Sequence, residues 1–319
     1  MRVGYPLNRN SKSIQFSNLK KIGYTPNRSS LSREFSKKKI PGDVVGNIAI
    51  LKFDRLISLP AKKKFAVGYL HRNKSVTTVL EKVGKFSGRL RTLKTRWLAG
   101  LKTREALYRE NGCEFRFNVD TCYFSPRLSE ERKKIASVVK KSERVLVMFG
   151  GVAPFAIVIG KKLRSFKLSD HPPTHPKRRE VINQNILGSV ISVELGRACL
   201  PYALENVKRN KLLGIVKVFQ GDVRRVIGPN RKVSGKFDRI VMARPNLENS
   251  FLDVAFRVSK HGTIIHYYGF YLEEEIGLLR NLIMDEAKKA GRKIKILGIV
   301  KAGDIGTRKW RFRVDIQIE

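Results

Sequence analysis

RVLVMFGGVAPF, residues 144–155, is the stretch of sequence that decides the fold of this chain. Its first six residues are almost wholly apolar and predict a buried strand, and the glycines at 150 and 151 predict a tight turn into a helix. A strand, a glycine turn and a helix in this order are typical of sheets that bind a nucleotide-like ligand at the helix start. The segment therefore predicts an α/β fold with a ligand site beside the turn.

Strand and helix patterns alternate from residue 119 onward, as in a doubly wound sheet. Besides 144–149, strands are predicted at 190–195, 215–222, 236–245, 262–270, 293–303 and 309–319. Helices are predicted from the glycine turn to near Lys162, and at 203–211, 251–260 and 273–290. This gives a seven-stranded sheet that closes with a hairpin, and residues 161–189 are predicted to be an inserted loop.

The upstream sequence divides into two parts. Residues 1–40 are rich in Arg, Lys, Ser and Asn and predict a basic flexible arm; a transit peptide shares this composition. Residues 41–118 predict a small α+β domain, with strands at 44–53, 86–100 and 114–120 and a helix over 61–83.

The charge of the chain indicates a polyanionic partner. Its 319 residues include 66 Lys and Arg against 27 Asp and Glu, a formal net charge of +39. Nucleic acid is favoured over a membrane surface because the basic residues are spread along the chain and no apolar run has the length of a membrane span. Three scattered cysteines exclude a disulfide framework and favour a reducing compartment, the cytoplasm first and the mitochondrion second. We expect no metal site, and a monomer.

Polar residues occur where a cofactor site in such a sheet requires them. Gly150 and Gly151 form the turn, Glu194 ends the second strand and can bind ribose hydroxyls, and Asp222 follows the third strand near the adenine. The order of all these elements favours S-adenosylmethionine over NAD, since no complete G-x-G-x-x-G is present.

Several segments give a more specific indication: RENGCEFRFNVD (109–120), YFSPRLSEER (123–132), VMFGGVAPF (147–155), ENVKRNK (205–211) and GTIIHYYGF (262–270). With these motifs the chain resembles the archaeal and eukaryotic tRNA (guanine-N1) methyltransferases that act on guanosine 37, and their relatives in wybutosine synthesis. The resemblance implies a class I methyltransferase domain at 119–319, S-adenosylmethionine as cofactor and tRNA as partner.

The resemblance also implies roles for individual residues. Glu131 would take the proton from guanine N1, Arg91 would stabilise charge on O6, and Tyr123 would lie beside the methyl group. The cofactor would be held by residues of the turn and of the strand ends: Phe149, Gly150, Gly151, Pro154, Glu194, Asp222 and Pro245. From the residues alone, Glu131 could equally be a helix N-terminal acid, Arg91 a phosphate contact and Tyr123 a core residue.

Three positions depart from the family pattern. Val147 stands where an aspartate is usual, Ala153 replaces the second glycine of the turn, and Ala243 replaces an asparagine. Each departure predicts weaker cofactor binding or a slower reaction. Two alternatives to an active guanosine-37 methyltransferase therefore stay open: a tRNA-binding protein with impaired or lost catalysis, and a wybutosine-pathway transferase.

Overall fold

A computed structural model describes residues 40–169, 188–243, 249–306 and 308–319. The strands are β1 Gly42–Val45, β2 Ile48–Leu51, β3 Thr78–Ser87, β4 Thr92–Gly100, β5 Glu105–Glu110, β6 Cys113–Asn118, β7 Arg144–Met148, β8 Ser189–Glu194, β9 Val216–Gln220, β10 Phe237–Met242, β11 Ser259–Leu272, β12 Ile294–Gly306 and β13 Lys309–Ile318. The helices are α1 Leu59–Arg72, α2 Ser129–Ser137, α3 Pro154–Ser169, α4 Leu200–Arg209, α5 Val223–Val226, α6 Leu252–Arg257 and α7 Ile276–Lys289.

The predicted seven-stranded sheet is confirmed. Its order is β12-β13-β11-β10-β7-β8-β9, and the five strands from β11 to β9 run parallel. β13 is antiparallel to both β11 and β12, so the last two strands form the expected hairpin. β7 lies between β8 and β10. The strands β8 and β9 follow one another on one side of β7, and the chain then returns to add β10 and β11 on its other side. Ligands of open α/β sheets bind at the carboxyl ends of the strands at such a point.

The core explains why these segments are strands. Val145, Leu146, Val147 and Met148 of β7 are all fully buried, because helices cover both faces of a parallel sheet. Alternate residues of β7 therefore belong to two different apolar clusters, one on each face.

The small N-terminal unit is a four-stranded sheet in the order β1-β2-β3-β4, packed against α1. Two predictions for this region were wrong in detail. Residues 44–53 contain a hairpin of β1 and β2, turned at Gly46 with φ +58°, instead of one strand. Residues 86–100 are not one strand either, because β3 ends at Ser87 and a turn precedes β4.

Helix limits also differ from the predictions. The predicted helix over 61–83 ends at Arg72, and 78–87 is a strand paired parallel with β2. α3 runs to Ser169, seven residues beyond its expected end at Lys162. The arm at 1–39 and residues 170–187 of the predicted loop lie outside the described residues.

A separate hairpin, β5–β6, joins the two sheets, and the residues after β6 lead into α2. One edge of β6 is paired by side chains of α4 instead of by another strand. The Asn206 amide accepts from Arg116 N–H (2.8 Å) and donates to the Arg116 carbonyl (3.1 Å), and Asn210 makes the same pair of bonds with Glu114 (2.9 and 2.7 Å). Asn206 also donates to the Val152 carbonyl in the glycine turn, at 3.3 Å. These bonds satisfy backbone groups that an edge strand would leave unpaired.

Candidate active site

A cavity lies at the carboxyl ends of β7, β8, β9 and β10, where the topology predicts a ligand site. The cavity is partly open to solvent, so a ligand can enter it from outside. Its walls come from both sheets: Arg89, Leu90, Arg91, Thr121, Tyr123, Phe124, Ser125, Leu128, Arg132, Phe149, Gly150, Gly151, Pro154, Phe155, Glu194, Leu195, Gly196, Cys199, Gly221, Asp222, Val223, Ala243, Phe251 and Arg311.

The glycine turn after β7 forms the floor of this cavity. Gly150 N–H donates to the Val193 carbonyl (2.9 Å), which ties the turn to β8. A Cβ at position 150 would stand 2.0 Å from Ser192 Oγ, so any residue other than glycine would force that side chain to move. Gly151 has φ +56°, and α3 begins three residues later at Pro154. The turn thus brings backbone close to the cavity at the start of a helix, as an anionic or nucleotide-like ligand requires.

Glu194, the last residue of β8, organises the loops on either side of the cavity. Its Oε2 accepts from Gly151 N–H at 2.8 Å and its Oε1 accepts from Gly196 N–H at 2.6 Å. One carboxylate therefore fixes the glycine turn and the segment after β8 in a single arrangement. Its charge also lies at the cavity wall, where ribose hydroxyls could donate to it.

Asp222, which follows β9, caps the short helix α5 by accepting from Arg224 N–H at 2.9 Å. Its other oxygen accepts from the Arg89 guanidinium at 2.8 Å. Burial opposes ionisation, but these two contacts hold the pKa of Asp222 below its usual value, so the carboxylate is charged at neutral pH. Arg89 belongs to the β3–β4 turn, which therefore bridges the two sheets above the cavity.

Tyr123 and Arg91 meet at the opposite wall. The Arg91 guanidinium lies 4.2 Å from the centroid of the Tyr123 ring, and Phe86 packs edge-on against that ring with centroids 5.3 Å apart. Arg91 has φ +52° in the β3–β4 turn. The structure thus joins a cation and an aromatic face at the rim of the cavity.

Glu131 lies behind the cavity wall and does not line it. It is 5% exposed, in the first turn of α2, and its Oε1 accepts from Tyr268 Oη (2.7 Å) and from Arg313 (2.6 Å). Burial and the Glu131 carboxylate raise the pKa of Tyr268 well above its usual value, so Tyr268 remains a donor. Arg313 in turn bonds Asp315, which accepts from His266. Glu131 is therefore the end of a buried charged network.

The three departures from the family pattern have different positions. Val147 is fully buried within β7 and does not line the cavity. Ala153 is also fully buried and outside the lining, but it adopts φ +66°, a conformation that glycine takes without strain. Of the three, Ala243 alone lines the cavity.

Eight of the ten predicted site residues line the cavity: Arg91, Tyr123, Phe149, Gly150, Gly151, Pro154, Glu194 and Asp222. Glu131 stands outside the lining, and Pro245 lies outside the described residues. The other lining residues were not assigned to the site by sequence reasoning, and Arg89, Phe251 and Arg311 are among them. Arg311 alternates with apolar residues in KWRFRVDIQIE, a pattern that suggests a solvated strand face, yet that face is covered here.

No described helix is long and apolar enough to cross a membrane. Within the described ranges, no group of His, Cys, Asp and Glu side chains is arranged to hold a metal ion.

Comparison with known proteins identifies relatives that match most of the chain. The model of the TRM5/TYW2 methyltransferase domain matches residues 106–187 and 181–297. The chain is 30% identical over 278 residues to the tRNA (guanine(37)-N(1))-methyltransferase Trm5b of Pyrococcus abyssi, covering 86% of this chain and 74% of that protein. It is 30% identical over 303 residues to the tRNA (guanine(37)-N(1))/4-demethylwyosine(37)-methyltransferase Taw22 of Nanoarchaeum equitans, covering 86% and 99%. The crystal structure of Trm5b from Pyrococcus abyssi superimposes with a TM-score of 0.70 at 28% identity, over 87% of this chain and 74% of that one.

Proposed function

Because this chain belongs to the TRM5/TYW2 methyltransferase family, we propose that it is a tRNA methyltransferase that transfers a methyl group from S-adenosylmethionine to N1 of guanosine 37. The observation that carries the proposal is the single cavity walled by the glycine turn, Glu194 and Asp222 on one side and by Tyr123 and Arg91 on the other. One side of the cavity could bind a nucleoside cofactor, and the adjacent side, where Tyr123 and Arg91 lie, could bind a purine.

The cofactor side of the cavity suits S-adenosylmethionine. The backbone at Gly150 and Gly151 is open to a ligand, Glu194 offers acceptors to ribose hydroxyls, and the charged Asp222 offers an acceptor to an adenine amine. When bound, S-adenosylmethionine supplies an electrophilic methyl group on a sulfonium. Arg89 holds Asp222 in the structure described here, so an adenine amine would share that carboxylate with Arg89 or replace it.

The substrate side suits a purine that has left its stack. An anticodon-loop base can be splayed out and stacked on an aromatic side chain, and Tyr123 presents its ring at the cavity. Arg91 stands over that ring and would stabilise the negative charge that forms on guanine O6. Glu131 is the acceptor we assign for the N1 proton: its carboxylate bonds Arg313, and Arg311, the next residue on the same face of β13, lines the cavity.

Net charge supports the assignment of RNA as the partner. At +39 the chain would bind phosphates through many Lys and Arg side chains, with strong salt dependence. The 30% identity to Taw22, named for both guanosine and 4-demethylwyosine, keeps a tricyclic guanine derivative as a second candidate substrate.

A methyl-transfer assay on unmodified tRNA with labelled S-adenosylmethionine tests the proposal. We expect 1-methylguanosine at position 37, identified by mass spectrometry of the digested product, and no transfer to the same tRNA carrying adenosine 37. Glu131→Gln should lower kcat by about 10²-fold or more. Glu130→Gln is the matched control, because Glu130 is the exposed neighbour on the same helical turn. Tight tRNA binding without transfer would instead support the non-catalytic alternative, and a different product nucleoside would refute the N1 assignment.

A further inference from the structure

A ladder of paired residues on β11 and β13 leads from the buried interior of the sheet to the cavity. Three cross-strand pairs of β11 and β13 form it: His266 with Asp315, Tyr268 with Arg313, and Phe270 with Arg311. Alternate residues of a strand share one face, so Arg311, Arg313 and Asp315 point the same way. The third pair is the one at the cavity, because Arg311 lines it.

The polar groups of the two inner pairs have hydrogen-bond partners, whereas Nε of Arg311 in the outermost pair has none. Arg313 bonds both Asp315 (2.8 Å) and Glu131 (2.6 Å), and Asp315 also accepts from His266 (2.6 Å). Arg311 is 5% exposed, yet its Nε has no hydrogen-bond partner, and no ion pair joins it to any residue in the described ranges. Its guanidinium carbon lies 5.2 Å from the centroid of the Phe270 ring.

An arginine in this state is unfavourable for the free protein. A buried guanidinium without an acceptor carries a desolvation penalty, to which the nearby cation Arg91 adds and which the Glu131 carboxylate offsets only in part. Burial lowers the pKa of Arg311, yet an arginine stays protonated in proteins. The backbone of β12 leaves space for the Arg311 side chain, because β12 bulges opposite it. Gly303, with φ +134°, lies in that bulge, and a Cβ there would stand 3.3 Å from Arg311 Nη1.

We propose that Arg311 is a substrate-binding residue whose guanidinium donates to the carbonyl oxygen of the target purine and stabilises the negative charge formed there as N1 loses its proton. The inference rests on the proposed function and deepens it. N1 and the carbonyl carbon are adjacent in the purine ring. The residues that would serve them are linked in the same way, because Glu131 bonds Arg313 at 2.6 Å and Arg311 is the next residue on the same face of β13. No bond to Arg311 would form or break. The N1 proton would go to Glu131, the N1 electron pair would form the bond to the methyl carbon, and the methyl–sulfur bond of S-adenosylmethionine would break, its electron pair staying on sulfur as S-adenosylhomocysteine leaves.

Arg311 and Arg91 differ in how they are held. Arg91 stands in the β3–β4 turn, whose residues 86–90 are exposed, whereas Arg311 is part of a strand with neighbours on both sides. Arg311 is therefore the donor that is in place before the substrate enters, which is the arrangement that electrostatic catalysis needs. Arg91 closes over the base from the rim.

The test compares Arg311→Gln and Arg311→Lys with wild type on tRNA carrying guanosine 37. We expect Arg311→Gln to lower kcat on the order of 10²-fold at neutral pH, with partial recovery in Arg311→Lys. The deficit should shrink as pH rises, because deprotonation of N1 no longer depends on the missing cation. Arg257→Gln removes a half-exposed arginine from α6, outside the cavity lining, and serves as the control for lost charge, with unchanged kcat expected.

A binding measurement separates this inference from the proposed function, because it needs no catalysis. Wild type should bind guanosine-37 tRNA about tenfold more tightly than adenosine-37 tRNA, since adenine places an amine where Arg311 requires an acceptor. Arg311→Gln should remove most of that difference, and Arg91 would account for what is left. If wild type transfers no methyl group but shows this discrimination, the proposed function fails and the role of Arg311 stands. Equal affinities in wild type, or an unchanged kcat in Arg311→Gln, would overturn it.

Two further readouts exclude other roles of Arg311. A phosphate contact would lower the slope of log K against log salt by about 0.7 in Arg311→Gln; a contact with the base leaves that slope unchanged. A merely structural arginine would stabilise the free protein, so Arg311→Met would lower the thermal midpoint. We expect that midpoint to stay equal or rise, because the substitution removes a buried charge without a partner.

Discussion

Asn206→Ala should destabilise the protein by about 3 kcal/mol. The side chain is fully buried and makes three hydrogen bonds, two to Arg116 and one to the Val152 carbonyl. A buried hydrogen bond contributes about 0.5–1.5 kcal/mol net, and leaving its backbone partner unsatisfied adds to the loss. Three bonds of this kind, the third long at 3.3 Å, give a range of about 1.5–4 kcal/mol.

Asn210→Ala is the matched control for this prediction. Asn210 bonds Glu114 in the same way one helical turn later, but it is only half-buried, so water can replace its amide. Its removal should destabilise by about 1 kcal/mol. Urea unfolding followed by circular dichroism, with equal m values for all proteins, provides the free energies. Equal losses for the two variants, or less than about 1 kcal/mol for Asn206→Ala, would show that the amide does not hold β6 as described.

Asn206→Asp refines the test, because it keeps the shape of the side chain and replaces both N–H donors by oxygen. The ionised carboxylate would face the carbonyl oxygens of Arg116 and Val152, so the loss at neutral pH should be at least that of alanine. The loss should diminish as pH falls and the carboxyl group becomes protonated. A pH-independent difference between this variant and wild type would contradict the assigned donors.

Three other substitutions test the site and its supporting network. Gly150→Ala places a Cβ 2.0 Å from Ser192 Oγ and should destabilise the protein by about 1–3 kcal/mol. Adding Ser192→Ala should restore most of that loss, because the Cβ of residue 192 that remains is 3.4 Å away. Urea unfolding that shows no recovery in the double variant would contradict the steric account. Glu194→Ala leaves two backbone N–H groups of the loops without an acceptor, so calorimetry should show S-adenosylmethionine binding at least tenfold weaker, and wild-type affinity would be inconsistent with that role. Burial lowers the pKa of His266, whose Nε2 accepts from Arg239. The unfolded chain therefore protonates this imidazole more readily than the folded one, and the free energy of unfolding should fall below about pH 6.5, by up to about 1.4 kcal/mol per pH unit. His266→Gln should flatten this dependence in unfolding free energies measured between about pH 7.5 and about pH 5.5.

The sequence predicts the large sheet well because its signals are local. Each strand is a short apolar run between turns, and the glycines after β7 indicate where the chain must bend. The carboxyl ends of parallel strands share one edge, so strand order alone brings Gly150, Glu194 and Asp222 together.

The errors arise where one pattern fits two structures. Val79, Leu80 and Val83 have a spacing compatible with a helix, but Asn73 ends α1 and the β-branched run that follows favours a strand. Pairing with β2 then decides the outcome, and pairing is not a local property.

Arg311 and Glu131 show a different limit. Alternating charged and apolar residues in β13 suggest one wet face, and nothing in the strand itself reveals that α2 supplies a buried acid to that face. Their neighbours are distant in sequence, since 182 residues separate Arg313 from Glu131. Only the folded topology shows which arginine is neutralised and which is left open.

The β3–β4 turn has a consequence for the cohesion of the molecule. Arg89, Leu90 and Arg91 wall a cavity whose floor belongs to the other sheet, so a ligand filling it touches both units at once. Any local opening that separates them must first release the ligand, and occupancy therefore stabilises the closed state by RT ln(1 + [L]/Kd). Amide hydrogens of β4, which do not belong to the sheet that carries the glycine turn, should exchange more slowly with deuterium once the site is filled.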